Sequence, residues 1–450
     1  MPSRTQEHSK PAQSYRSLLD QRDFTFLWWS QIAHWSGDAA YAIGILWIMQ
    51  EMTGSAAMMG LVSALRAAPS ALGLVTGVLV DRWRPRNVLV GATFARAVIV
   101  VLIPLLWALG ILQPWHLLVT AVLQGLTGIF LMPSRNAIMP AVVPSGRLIQ
   151  ANALMMFSAQ VTQAIGYSAA GVAIALLGTI SLFYFNAASM AVSALLLWMI
   201  QTGRSGRSRA IAVAQSEVAA GAAVSTHVEA ASVGRSPGRR AVLMEMREGF
   251  DYILSNAVLI RVLLLIMVMN FLITPLFVLL PVWTKEVLQS GPQTYGFVQS
   301  AYQVGMIVGS LLIGYMASRT KRSGLVFSAL VVQGIALLGM TTLQTIPAAL
   351  LGLWAFGVLD AFTQVTMNSY LQASVPRSIR GRVFSCTEAI GQMISPAGQA
   401  LGGVLAEVIP LPVVFGGIGL GRLIGPLAYG LSPVFRKAFD QETSVLDGSS

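Results

Sequence analysis

The chain has 450 residues, of which 55% are apolar and only 10% are charged. Soluble domains carry about 25% charged residues, so this composition, with a mean hydropathy of +0.68, excludes an ordinary soluble protein. The formal net charge of +11 is scattered between apolar runs, which points to loops on one membrane side rather than to nucleic acid. The single cysteine, Cys386, excludes an intrachain disulfide and a cysteine metal site. The four histidines lack metal-ligand spacing, and no cofactor is expected.

Residues 1–23 are polar and are expected to form a cytoplasmic N-terminal segment. The apolar run that follows is longer than a signal-peptide core and lacks a convincing cleavage site, so it reads as a retained span. About 20 apolar residues cross a bilayer as a helix, and such runs recur. Spans are predicted at 24–52, 54–80, 88–109, 115–132, 152–177 and 180–200. A second set is predicted at 258–283, 294–317, 324–343, 346–370, 383–408 and 412–431. The expected architecture is an all-α polytopic membrane protein with twelve transmembrane helices in two six-helix, pseudo-symmetric halves, 24–200 and 258–432. Residues 433–450 form a tail.

Between the halves, 201–257 is biased to Ala, Ser, Val and Gly at first and reads as a flexible cytoplasmic linker. Its last part, VLMEMREGFDYILSN, reads as an interfacial helix or as more linker. Alternate loops carry Arg82, Arg84 and Arg86, then Arg135 and Arg147, the linker, Arg319, Lys321 and Arg322, and Arg377, Arg380 and Arg382. The intervening loops hold only Lys285. Cytoplasmic loops collect Lys and Arg, so both termini are expected in the cytoplasm.

The halves repeat each other. Without a gap, Val143, Pro144, Gln160, Gly166 and Gly171 fall on Val375, Pro376, Gln392, Gly398 and Gly403. GVLVDRWRPR, from Gly77, matches GYMASRTKR, from Gly314. Parallel repeats of six helices build one large class of secondary transporters.

The pattern G-x-x-x-D-R-x-x-x-R at Gly77, Asp81, Arg82 and Arg86 resembles the signature loop of the major facilitator superfamily. The runs around LWWSQIAHWSGDAAYAIG, FLMPSRNAIMPAVVP and VPRSIRGRVFS are similar to its drug and siderophore exporters, nearest to macrolide efflux proteins and enterobactin-type exporters. The resemblance covers about residues 23–432. It implies that the loop, with Gly314 and Arg319 as counterparts, latches the halves together when the transporter faces outward. One feature departs from the pattern: many antiporters of the superfamily carry a glycine-proline motif in span five, and the run Gly166 to Gly171 has no proline.

Charges within spans cost about 2.5–3.5 kcal/mol at mid-bilayer on insertion scales and mark candidate functional sites. Asp38 on span one and Arg66 on span two share a depth and are expected to pair. Asp360 and Arg422 lie equally deep in the second half, with Glu388 and Arg96 nearer the cytoplasm. Gln31, His34, Asp38 and Tyr41 recur at intervals of three and four, forming one polar stripe. Gln160, Gln163 and Tyr167 line span five, and Glu388, Gln392, Ser395 and Gln399 line span eleven. Asn270 pairs with Thr274 on span seven, and Asp360 with Thr363 and Gln364 on span ten. These stripes face protein or a central aqueous path. Arg96 and Arg422 are expected to be structural, because spans three and twelve pack at the periphery of the fold that the resemblance implies.

No phosphate-binding loop of Walker type occurs and no catalytic constellation is recognisable, so an enzyme is not expected. The expectation is a secondary transporter of the cytoplasmic membrane, monomeric, exporting amphipathic small molecules by proton antiport, with Asp38 titrating. A facilitator or importer of the same fold, and a non-transporting receptor or scaffold, remain open alternatives.

Overall fold

The computed structural model describes residues 16–73, 83–201, 250–316, 322–376 and 379–430. The described residues are mostly helical, without a strand. In chain order the first half holds α1 (Arg22–Thr53), α2 (Ala56–Ala67, continued by a 3-10 turn Ala68–Leu72), α3 (Pro85–Ala108) and α4 (Pro114–Val142). Helices α5 (Leu148–Leu177) and α6 (Ile180–Met199) complete it. The second half holds α7 (Ala257–Val282), α8 (Pro292–Met316), α9 (Arg322–Leu343), α10 (Ile346–Ser374), α11 (Arg380–Val408) and α12 (Leu411–Gly430).

Eight helices among the described residues are long and apolar enough to cross a membrane: α3 to α10. Ala56–Leu72 and Leu411–Ile424 are shorter apolar stretches. The remaining two, α1 and α11, carry long polar stripes, which lower their hydropathy. A stripe of this kind is tolerated in a membrane because it faces neighbouring helices or a cavity instead of lipid.

Two further segments dock onto the bundles. Leu18, in a helical turn at Arg16–Leu19, is fully buried against Phe24, Leu27, Leu89 and Ile138. The part of the linker expected to be helical is helical at 250–255, where Ile253 packs with Leu259, Leu371 and Val383. Residues 202–249 lie outside the described residues.

The glycines of the sequence repeat explain how the halves meet. A side chain on Gly171 of α5 would lie 2.9 Å from Gly296 Cα of α8. Its counterpart Gly403 on α11 would likewise come within 2.9 Å of Gly60 Cα on α2. Gly166 packs against Ala39 of α1, and Gly398 against Phe271 and Thr274 of α7. Paired residues in the repeat therefore make equivalent contacts in both halves. Without a Cβ, the backbones approach closely enough for van der Waals packing to replace the hydrophobic effect that lipid does not supply.

The α5–α8 and α2–α11 glycine contacts lie towards the end of the molecule that carries the turns at Gly54, Gly178 and Ser290. Trp47 of α1 stacks on Tyr295 of α8 at 6.0 Å near the same end. Deeper, Gln303 Nε2 donates to Gln163 Oε1 at 2.5 Å, and Ser300 Oγ to the Ala164 carbonyl at 2.6 Å. This end is closed.

Overpacking costs about 1–3 kcal/mol where nothing can shift. Gly171→Val is expected to lower the thermal midpoint of the detergent-solubilised protein by several degrees. Gly91→Ala, with no neighbour within 4 Å of the added atom, should leave it within a degree. Equal midpoints for the two variants would contradict the close α5–α8 approach.

Candidate functional site

The period of α1 places His34, Asp38 and Tyr41 on one face, which turns towards α2, α3 and α6. There Arg96 Nη2 of α3 donates to Asp38 Oδ1 at 2.7 Å. Arg96 is itself held from α4: its Nε donates to Gln124 Oε1 at 2.6 Å, and Gln124 Nε2 donates back to the Arg96 carbonyl at 3.0 Å. Arg66 Nη2 of α2 stands 3.9 Å from the same carboxylate oxygen, with its guanidinium 5.0 Å above the Tyr41 ring. His34 completes the group, with Nε2 3.6 Å from Asp38 Oδ2 and Nδ1 3.1 Å from Met190 Sδ on α6.

Arg66 lies in ion-pair range of Asp38, as expected from depth, but the cation that hydrogen-bonds the carboxylate is Arg96, and this corrects the expectation that Arg96 is peripheral: its side chain is 5% exposed. Depth along a span fixes how far a residue lies from the membrane surface but not its azimuth, so reasoning from depth paired Asp38 with the second-nearest cation. Arg422, also expected at the periphery, is buried in the second half and lines a cavity there.

Two cavities bear on transport. The first, of about 360 Å3, lies between the halves and is lined by Ile43, Leu46, Arg66, Tyr167, Tyr295 and Gln399 among others. Among the described residues, Arg66 is the one charged side chain in its lining. Helix α1 presents Ala42, Ile43, Ile45 and Leu46 to it, so the polar stripe of α1 faces its own bundle, and Arg66 stands between Asp38 and the cavity.

The second cavity, of about 610 Å3, lies within the second half. It gathers Asn270, Thr274, Asp360, Thr363, Gln364, Gln392 and Ser395, which the sequence had grouped as separate stripes, together with Arg422. Asp360 Oδ2 accepts from Tyr302 Oη and Gln364 Nε2, both at 2.9 Å. Arg422 bonds the Gln333 amide oxygen, donates to the Met269 carbonyl at 3.2 Å and lies 4.7 Å above the Phe356 ring.

The other expected residues are dispersed. Gln31 is buried on α1, and Gln160 is half-buried on α5, one turn before Gln163. Glu388 sits in α11, and its side chain lies outside the described residues, as do Gly77, Asp81, Arg82 and Arg319. Gly314 is helical at the end of α8. Arg86 bonds the carbonyls of Leu197 and Trp198, where its charge complements the negative C-terminal end of α6. Sequence reasoning missed Gln124, Gln333 and Tyr302. The first two are amides isolated within apolar spans, a signal available before the structure. Tyr302 carried none.

Removing one partner of a buried ion pair costs about 3–5 kcal/mol, because the other charge stays buried and unpaired. Arg96→Leu should therefore reduce membrane expression and thermal stability severely. Arg66→Gln, farther from the carboxylate and 31% exposed, should cost about 1 kcal/mol or less, in the range of partly solvated pairs. The measurement is fluorescence-detected thermal unfolding in detergent, and a reversed order of the two variants would contradict the assignment of Arg96.

A family model described as Major Facilitator Superfamily matches residues 27–291 and 262–444. Macrolide efflux protein A of Streptococcus pyogenes is 25% identical, over 86% of this chain and 90% of that protein. The multidrug efflux pump Tap of Mycolicibacterium fortuitum is 24% identical, over 86% of this chain and 90% of that protein. Among solved structures, a bacterial homologue of the iron transporter ferroportin in an inward-facing state superposes with a TM-score of 0.65 at 15% identity, over 95% of this chain and 99% of that one. The family match takes in both bundles and the cavity between them, and the chain belongs to the Major Facilitator Superfamily of membrane transporters.

Proposed function

We propose that this protein is a secondary active transporter that exports amphipathic small molecules, of drug, macrolide or siderophore type, in exchange for protons. The observation that carries the reading is the Asp38 carboxylate, held by Arg96 at 2.7 Å inside the first bundle and linked through Arg66 to the cavity between the halves. A titratable group in that position links proton binding to the packing of α1 on α2 and α3. Protonation removes the negative charge that both arginines face, so the two protonation states favour different arrangements of these helices. Transfer of one charge through 100 mV is worth about 2.3 kcal/mol, enough to drive a solute about 50-fold uphill.

The efflux relatives support export, and the distribution of Lys and Arg supports cytoplasmic termini. On that topology the closed end faces outward and the cavity is loaded from the cytoplasm or the inner leaflet. The signature loop, with Asp81 at its centre, then serves as the lock of the opposite state. The chain acts as a monomer on this reading.

A deletion strain screened against drugs and siderophores should become hypersensitive to a defined set of amphipathic compounds. Everted vesicles carrying the protein should accumulate such a compound when a proton gradient is imposed. Asp38→Asn keeps the size of the side chain and an oxygen that accepts from Arg96 but removes its titration, so per inserted molecule it should accumulate at least 10-fold less. Undiminished uphill accumulation by a well-expressed Asp38→Asn protein would remove the proton role of Asp38.

A further inference from the structure

Among the described residues, one carboxylate at the closed end reaches from one half into the other. Glu407, in the last turn of α11, accepts at Oε1 from Ser55 Oγ at 2.5 Å and from the Ala57 backbone N–H at 3.0 Å. Ser55 is the N-cap of α2, and Ala57 is in its first turn. A carboxylate there meets unpaired backbone N–H groups and the positive end of the helix dipole. Helix α2 does not need Glu407 to be capped, because the Ser55 hydroxyl already accepts from the Met58 N–H at 3.2 Å. What Glu407 adds is a charge-assisted bond between the halves.

The contact lies beside the closest backbone approach of the same two helices, Gly60 on Gly403. The glycine pair supplies fit without charge, and fit of that kind falls off within an ångström of separation. The carboxylate supplies a directional bond that is either made or broken. We propose that Glu407 is a latch of the closed end: its bond to the start of α2 holds α2 against α11 in this state and must break for this end to open. The inference rests on the reading that the protein alternates between two states.

Glu51 provides the internal control. It also sits at this end, but its oxygens accept from Trp47 Nε1 at 2.7 Å and Thr179 Oγ1 at 2.9 Å, both within the first half. Neither bond crosses to the second half, although Trp47 itself stacks on Tyr295 there, so the removal of Glu51 loosens the interface less than the removal of Glu407.

The experiment places spin labels at Leu177→Cys and Gln293→Cys, on α5 and α8 at the closed end, in a Cys386→Ser background, and reads the distance distribution by pulsed electron resonance. Loss of a carboxylate at a helix N-terminus shifts an equilibrium by roughly 2- to 5-fold. Glu407→Ala should raise the ratio of long to short distances by about that factor, and Glu407→Gln, whose amide oxygen still accepts, by less. Glu51→Ala should shift the ratio by less than Glu407→Ala does. An unchanged ratio in Glu407→Ala, or an equal shift in Glu51→Ala, would overturn the latch. The readout needs no solute, so a protein that moves none would sink the transport reading and leave the latch to be judged on the distances alone.

Discussion

Everything in the first bundle is arranged around one constraint: a carboxylate within a membrane helix must be satisfied by protein. Asp38 meets it with Arg96 at hydrogen-bond distance, Arg66 farther off and His34 one turn away. Arg96 would be as costly to bury as Asp38 if it had a single partner, and Gln124 fills its remaining demand from α4. The result ties α1, α2, α3 and α4 together through polar bonds in a region where apolar packing gives no net drive for association. The arrangement over-determines the position of Asp38, and a change in its charge is felt by several helices at once.

The two halves share a scaffold but not a charge pattern. Gly171 and Gly403, and Gly166 and Gly398, do the same work in each half. The ionisable groups do not follow the repeat. In the first half an acid is held by two arginines, whereas in the second Asp360 is held by a tyrosine and an amide, and Arg422 bonds an amide and a carbonyl. If the chain alternates between two states, as proposed above, symmetric packing would keep them close in energy and asymmetric charge would choose between them. The first half would then sense the proton, while the second, with its larger polar cavity, would offer the more varied set of hydrogen-bonding groups to a solute.

Much of this was legible in the sequence, for identifiable reasons. Span positions follow from apolar runs, and the helices observed begin and end within a few residues of them except in α4, where the helix runs on to Val142, and in α2, whose expected end at residue 80 lies outside the described residues. The glycine contacts follow from the repeat, because small residues at matched positions imply matched close approaches. The polar stripes of α7, α10 and α11 converge on one cavity, as residues that cannot face lipid must. What the sequence did not yield is direction around each helix. Depth alone suggested Arg66 for Asp38 and hid Arg96, and nothing local marks Glu407 as a residue that reaches 350 positions back along the chain to Ala57.

The central claim is that the charge of Asp38 is exchanged during transport. Its most direct test is proton movement in proteoliposomes loaded with an exported compound, with no pH gradient imposed and a pH-sensitive dye inside. The account predicts that the interior acidifies as the compound leaves and protons enter in exchange, and that Asp38→Asn abolishes this acidification. Exit of the compound through the wild-type protein with no change of internal pH would contradict it.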